Sequence, residues 1–191
     1  MEKIFVISDT HSRIIQKSAK YDACIHLGDC IDAIYKGAQK YERNFSAFRA
    51  FDYQVIGNHE NMFINELIQK CFGIDIPDDD ESDFKVWLKN QKKQIVKHEK
   101  IAEKIFRLSH YLQSDYRLVA GNILLPDEEL ELMDNIAEKK ESDIVLWGHT
   151  HKQFYKIINN VHFINPGFGE IGECAEIIIE NEKIFVDLRK I

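Results

Sequence analysis

The stretch that decides the fold is an apolar run that turns polar, Ile4-Phe5-Val6-Ile7 followed by Ser8-Asp9-Thr10-His11. The run has the length and composition of a buried strand, and the polar residues stand where that strand would reach solvent. A second example lies near the other end of the chain, where Ile144-Val145-Leu146-Trp147 precedes Gly148-His149-Thr150-His151. Strand ends are where sheets covered by helices build their sites. The two motifs therefore suggest one metal site assembled by folding.

Other segments predict the elements around these two motifs. Short apolar runs at 23–27 and 53–56, with a weaker one at 105–108, read as strands. One helix is predicted to open at Pro126 and close at Lys139-Lys140, and another to cover 61–72 and stop at Gly73. After residue 151, four short strands joined by turn residues (154–158, 161–164, 175–179 and 184–188) predict a mixed sheet or a second sheet beside the first.

Composition limits the function classes. A chain of 191 residues fits one domain, 1–191, and its net charge of −7 argues against binding to nucleic acid or to an anionic membrane surface. The N-terminus lacks the basic region of a signal peptide, and no apolar stretch approaches the roughly 20 residues that span a bilayer. The four cysteines are scattered without a C-x-x-C pair, so we expect reduced thiols and a cytoplasmic protein.

The segment from Asp78 to Arg107 lacks glycine and proline and is rich in charge. It is predicted to be a long, mostly solvated helix or helix pair, which makes a charged helical insertion at about 74–104. A lid over the site and an arm that forms a homodimer are the alternatives to a plain solvated face.

The residues at the predicted strand ends form a set of oxygen and nitrogen donors without a thiolate. They are Asp9, His11, Asp29, Asn58, His110, His149 and His151, with His59 as an extra histidine. The absence of thiolates disfavours a closed structural zinc site. Carboxylate, carboxamide and imidazole suit manganese, iron or zinc with positions left for water. Seven ligands exceed what one open metal needs, so they divide naturally between two ions.

The series D-x-H, G-D, G-N-H-[DE], H and G-H-x-H, in this order, resembles the calcineurin-like metallophosphoesterase superfamily. The short chain and Asn165-Pro166-Gly167 resemble its small bacterial and archaeal phosphodiesterase branch. The resemblance extends from Ser8 to about Gly167 and implies an α/β fold, a four-layer αββα sandwich of two mixed β-sheets flanked by helices.

The resemblance also implies a role for each residue. Asp9, His11 and His151 would hold one ion, Asn58, His110 and His149 the other, and Asp29 would bridge them. Two divalent ions roughly 4 Å apart can share a hydroxide and clamp a phosphoryl group. His59 would contact the phosphate, as would Asn58, or protonate the leaving group, and Glu60 would orient the His59 imidazole.

The implied activity is a metal-dependent phosphoesterase that acts on small phosphate esters, with diesters ahead of monoesters. Manganese is the preferred ion, with iron, zinc or nickel as alternatives. Phosphomonoesterase, nuclease and a non-catalytic scaffold of the retromer type remain open. The scaffold is disfavoured because all seven ligand positions are filled.

Two residues depart from the family pattern. Tyr111 follows the fourth-motif histidine, where relatives usually carry glycine, and its ring would narrow the site. Phe168 follows Asn165-Pro166-Gly167, where serine is usual, so substrate contacts from that loop do not carry over.

Overall fold

A computed structural model describes residues 1–11, 13–30, 47–60, 96–112 and 126–191. It contains two five-stranded sheets, with strand orders β10-β9-β1-β2-β3 and β4-β5-β6-β8-β7. The strands of the first sheet are β1 (Glu2–Ile7), β2 (Ala23–His26), β3 (Tyr53–Gln54), β9 (Glu173–Glu180) and β10 (Lys183–Lys190). Those of the second are β4 (Val96–Ile101), β5 (Lys104–Ser109), β6 (Ile144–Leu146), β7 (Gln153–Ile158) and β8 (Val161–Pro166).

Both sheets are mixed, and each contains three adjacent parallel strands. In the first sheet β1 pairs with β2 and β2 with β3 in parallel, whereas β9 runs antiparallel to β1 and to β10. In the second, β5, β6 and β8 are parallel, and β4 and β7 close the edges as antiparallel strands. The carboxyl ends of the parallel strands therefore meet at one edge of each sheet, which is where the polar motifs begin.

The main core lies between the two sheets. Ile4, Val6 and Ile25 of the first sheet pack in one cluster with Phe106 and Leu146 of the second, and all five side chains are fully buried. Alternate residues of β1 point the other way, because side chains of a strand alternate between faces. Phe5 and Ile7 accordingly join a separate cluster on the outer face of the first sheet.

Helix α1 (Pro126–Lys139) covers the outer face of the second sheet. Its apolar side buries Met133 and Ala137 fully against Val145, Trp147 and Phe163. Proline opens the helix, and Lys139 stands in its last turn as the helix dipole favours. The two facing sheets with α1 outside confirm the α/β sandwich. Among the described residues no helix is long and apolar enough to cross a membrane.

Among the described residues, the predicted elements agree with the structure except in one segment. Residues 96–101 and 104–109 form the antiparallel hairpin β4–β5. The weaker strand predicted at 105–108 is therefore confirmed, whereas the helix predicted from Asp78 to Arg107 is wrong from 96 to 107, and the insertion at about 74–104 is not helical at its end. Most of that insertion and the predicted helix at 61–72 lie outside the described residues. The predicted strand at 53–56 is shorter in the structure, Tyr53–Gln54, although the N–H of Val55 still donates to His26 O at 3.1 Å.

Candidate metal centre

The predicted ligands all follow the carboxyl ends of parallel strands. Asp9 and His11 come after β1, Asp29 after β2, His110 after β5, and His149 and His151 after β6. Asn58 follows β3 at the start of a helical turn. The facing edges of the two sheets thus bring all seven residues to one place.

One set of donor atoms comprises Asp9, His11 and His151, and we call it the first ligand group. Its ligand atoms lie within 4.8 Å of one another. His151 Nε2 is 3.1 Å from Asp9 Oδ1 and 3.4 Å from His11 Nε2. Asp9 Oδ1 is buried and accepts no hydrogen bond from the part of the chain that the structure describes. A buried carboxylate oxygen in that state is costly unless a cation neutralises it, so these residues fit a divalent ion.

The second ligand group comprises Asp29, His110 and His149, whose ligand atoms also lie within 4.8 Å of one another. His110 Nε2 is 3.2 Å from Asp29 Oδ2. Asn58 joins this group, because its Oδ1 is 3.1 Å from both His110 Nε2 and His149 Nδ1. His110 Nδ1 lies 2.7 Å from Leu27 O and must donate to it, which leaves Nε2 with a lone pair for a cation.

The two groups touch each other through His149 and Asp9. The main-chain N–H of His149, from the second group, donates to Asp9 Oδ2 of the first at 2.9 Å. Two further bonds hold the loops of the first sheet together, Asp9 N–H to Gly28 O and His11 N–H to Asp29 O, both at 2.9 Å. The structure therefore brings the residues of the two implied sets together, whereas their roles as metal ligands and the bridging role of Asp29 stay predictions.

Charge in the second group is arranged to hold a cation. Burial lowers the pKa of His110, but the neighbouring Asp29 carboxylate outweighs burial and raises it to about 10. Burial raises the pKa of Asp29, and His110 more than reverses this, so the Asp29 pKa lies below its usual range. Burial and the His110 charge lower the pKa of His149 to about 4. Without a metal, a proton on His110 thus supplies the positive charge of the group. A bound metal ion would take over that role.

Five of the predicted ligands have a left-handed backbone conformation. Their φ angles are 54° for Asp9, 44° for His11, 54° for Asp29, 67° for His149 and 56° for His151. Among the described non-glycine residues, the other positive φ angles belong to the hairpin turns at 102–103, 159–160 and 181–182 and to Lys140 at the end of α1. Such conformations cost energy and concentrate at functional sites. The backbone thus marks the same residues as the sequence motifs do.

Close packing of the main chain puts Asp29 in place. A Cβ on Gly57 would lie 2.1 Å from Asp29 Oδ1, so only glycine fits there. The next turn supplies the N–H of His59, which donates to the same Asp29 oxygen at 2.8 Å. The G-N-H motif thus orients the carboxylate that precedes it in sequence by some thirty residues.

His59 and Glu60 occupy different positions relative to the site. The His59 ring lies edge-on to His11, 4.8 Å between centroids, beside the first ligand group and outside both groups. Glu60 is fully buried, and its carboxylate accepts the N–H groups of Gly57, Asp29 and Cys30. Both oxygens therefore hold main-chain N–H groups of the loops that carry Asp29 and Gly57, and the role of Glu60 in orienting the His59 imidazole stays a prediction.

Three further residues at the site lie outside the predicted ligand set. His26 links Thr10 Oγ1 (3.0 Å) to the N–H of Gly28 (3.2 Å) and so connects two ligand loops. Phe168 stacks on His151, with ring centroids 4.3 Å apart and planes 9° apart. Tyr111 packs on His149 and His110. A histidine inside an apolar strand and two departures from the family pattern were the signals available in the sequence.

The chain is similar to known phosphoesterases over nearly its whole length. Residues 2–176 match the family model described as the calcineurin-like phosphoesterase superfamily domain. Among solved structures, a predicted phosphoesterase from Streptococcus pneumoniae TIGR4 is 17% identical with a TM-score of 0.53, covering 99% of this chain and 89% of that one. An archaeal phosphodiesterase is 17% identical with a TM-score of 0.52, covering 98% and 99%.

Vacuolar protein sorting 29 from Cryptosporidium parvum is 16% identical with a TM-score of 0.52, covering 100% of this chain and 97% of that one. At these identities the likeness shows the fold alone. A search of curated proteins finds no match.

Proposed function

The chain belongs to the calcineurin-like phosphoesterase superfamily, and from this premise we propose that it hydrolyses phosphodiesters, with two divalent cations held by the two ligand groups. The single observation that carries the proposal is the contact between the groups. His149 belongs to the second group by its imidazole and contacts Asp9 of the first by its N–H. Two cation sites in direct contact are the arrangement that hydrolytic two-metal centres use.

Two divalent ions bound there would lower the pKa of a water molecule and neutralise charge on the phosphoryl group. The residues of the chain supply the rest. Asp9 and Asp29 provide negative charge in a buried setting and would hold the cations there. His59 lies beside the first group, where its imidazole can donate a proton to the departing oxygen or contact the phosphate.

A diester is favoured over a monoester by the contacts of Arg107, which lies on β5 and precedes His110 in the chain. A dianionic monoester usually needs an additional cationic side chain, and guanidinium is well suited to bind it. The buried Arg107 guanidinium is committed to Leu112 O at 3.0 Å and Ser109 Oγ at 3.4 Å. This supports a substrate with a single negative charge on the phosphoryl group.

Manganese is the proposed ion, with iron, zinc and nickel as the alternatives to be compared. The two groups offer carboxylate, carboxamide and imidazole donors, which suit these ions better than magnesium or calcium. Within the described residues, neither group contains a thiolate.

The test is a hydrolysis panel with metal-free protein reloaded with manganese, iron, zinc or nickel. The substrates are an aryl phosphodiester, an aryl phosphomonoester, a cyclic nucleotide and single-stranded DNA. We expect the aryl diester to turn over fastest in the manganese form. Asp9→Asn should remove turnover, whereas Asp187→Asn, at an exposed position on β10, should keep it.

The other outcomes identify other functions. Faster turnover of the monoester or of DNA would overturn the diester assignment in favour of a phosphomonoesterase or a nuclease. Two bound ions without turnover of any substrate would favour a non-catalytic scaffold.

A further inference from the structure

We infer that Tyr111 is a positioning residue for the second cation: its hydroxyl holds the carboxamide oxygen of Asn58 toward the second ligand group. The inference rests on the proposed function, since it assigns a role at one of the two proposed cation sites. Glycine is usual at this position in the family that the sequence resembles, so the role belongs to this chain.

The contacts of Tyr111 converge on the second group. Its hydroxyl donates to Asn58 Oδ1 at 3.0 Å. Its ring lies 4.5 Å from the His149 ring and 4.9 Å from the His110 ring, measured between centroids. Tyr111 thus contacts the oxygen ligand and both nitrogen ligands of one proposed site. It is 7% exposed, so water does not compete strongly for these contacts.

Asn58 Oδ1 is approached by three groups, and they differ in what a bound cation would do to them. His110 Nε2 and His149 Nδ1 are each 3.1 Å from this oxygen, and both would turn a lone pair to the cation. A neutral phenol is a hydrogen-bond donor and keeps its proton at neutral pH. Tyr111 is therefore the partner that can stay bonded to Oδ1 when the cation is present, because a carboxamide oxygen has two lone pairs.

This bond matters because a carboxamide can turn either end to a cation. Only Oδ1 is a ligand, and the NH₂ group would repel the ion. A hydroxyl that donates to Oδ1 favours the orientation in which the oxygen lies among His110, His149 and Tyr111. Hydrogen-bond partners of metal ligands typically change metal affinity by ~10–100-fold when they are removed.

The experiment is a calorimetric titration of metal-free protein with Mn²⁺, with the manganese EPR spectrum as an independent readout of spin-coupled pairs. Wild-type protein should bind two ions in two steps. Tyr111→Phe should weaken the second step by ~10-fold, leave the first step unchanged and reduce the spin-coupled signal at a fixed metal concentration. Tyr155→Phe is the matched control, since the Tyr155 hydroxyl, on β7, bonds His162 Nδ1 of β8 at 3.0 Å and neither residue belongs to a ligand group.

Tyr111→Leu separates the hydroxyl from the ring. Because it removes both, it should weaken the second step at least as much as Tyr111→Phe does. A general loss of packing would instead weaken both steps and lower the unfolding temperature of the metal-free protein, which would overturn the inference.

If wild-type protein binds Mn²⁺ in two steps and Tyr111→Phe changes the affinity of neither step, the role of Tyr111 is overturned. The proposed function would still stand. A single binding step in wild-type protein would overturn both.

Discussion

Glu60 holds the main chain of Asp29 in place: its Oε2 accepts the Asp29 N–H at 2.7 Å and the Gly57 N–H at the same distance. The other oxygen accepts the N–H of Cys30. A residue from the third strand-end motif therefore determines where the carboxylate of the second motif stands. Burial, with the charge of Asp29, raises the pKa of Glu60, and the charge of His110 together with the main-chain donors Gly57 and Asp29 opposes that rise.

Glu60→Gln should destabilise the fold and weaken metal binding together. The glutamine NH₂ cannot accept a hydrogen bond, so at least one buried N–H loses its partner, at a cost of about 1–3 kcal/mol in the free energy of unfolding. Urea denaturation and Mn²⁺ titration check this. Glu180→Gln, at an exposed position on β9, should change neither. An unchanged Mn²⁺ affinity in Glu60→Gln would refute the role of Glu60 in placing Asp29.

His26→Phe should act in a similar way on the first two ligand loops. The N–H of Gly28 donates to His26 Nδ1, so Nε2 carries the proton and donates to Thr10 Oγ1. Phenylalanine cannot form hydrogen bonds, so the Gly28 N–H and the Thr10 hydroxyl stay buried without the imidazole. This should lower the free energy of unfolding by about 1–3 kcal/mol. Faster hydrogen exchange at the Gly28 amide is the specific readout. His98→Phe, at an exposed position on β4, should leave that exchange rate unchanged.

Metal binding should stabilise the folded chain. An ion that binds only the folded state at one hundred times its dissociation constant adds about 2.7 kcal/mol to the free energy of unfolding for each site. Mn²⁺ should therefore raise the unfolding temperature, and a chelator should reverse the rise. His11→Ala should lose part of it, whereas His98→Ala should keep all of it. Equal rises in the two variants would remove His11 from the ligand set.

The left-handed backbone at His149 makes glycine and alanine behave differently there. At φ 67° an alanine Cβ is disfavoured by about 1–2 kcal/mol, and glycine avoids this. His149→Gly should therefore be more stable than His149→Ala in the metal-free protein. At His98, in the extended backbone of β4, the order should reverse by roughly 0.5–1 kcal/mol. Thermal unfolding of the four variants gives both comparisons, and the same order at both positions would count against strain at His149.

The sequence was most informative where apolar runs end. The runs at 4–7 and 144–146 are continuous and fully buried, so their boundaries and the polar residues after them could be read directly. The pairing of ligands into two groups followed only from the family resemblance. The contacts of Glu60, His26 and Tyr111 depend on three-dimensional packing between loops that are distant in sequence, which periodicity does not report.

Strand β4 was missed for a physical reason, although β5 was predicted as a weak strand. β4 is an edge strand, and edge strands carry charges that discourage pairing with another chain, so Lys97, Glu99 and Lys100 resemble a solvated helix face. Its turn is Ala102-Glu103, both with positive φ, in place of the usual Asn-Gly or Asp-Gly signal. In β5, Arg107 interrupts the apolar pattern but is buried, because Leu112 O and Ser109 Oγ accept from its guanidinium.

The left-handed conformation of five predicted ligands means that a substitution can raise the stability of the fold and weaken metal binding at the same time. At each of these positions a substitution by glycine removes the conformational cost of the positive φ angle. The same substitution also removes the side-chain atom that would bind a metal. A library of variants selected for heat resistance alone would therefore lose the proposed metal centre, one predicted ligand at a time. Selection in the presence of manganese should retain the donors. The free energy that ion binding adds to the folded state through each donor would then exceed the conformational cost of its positive φ angle.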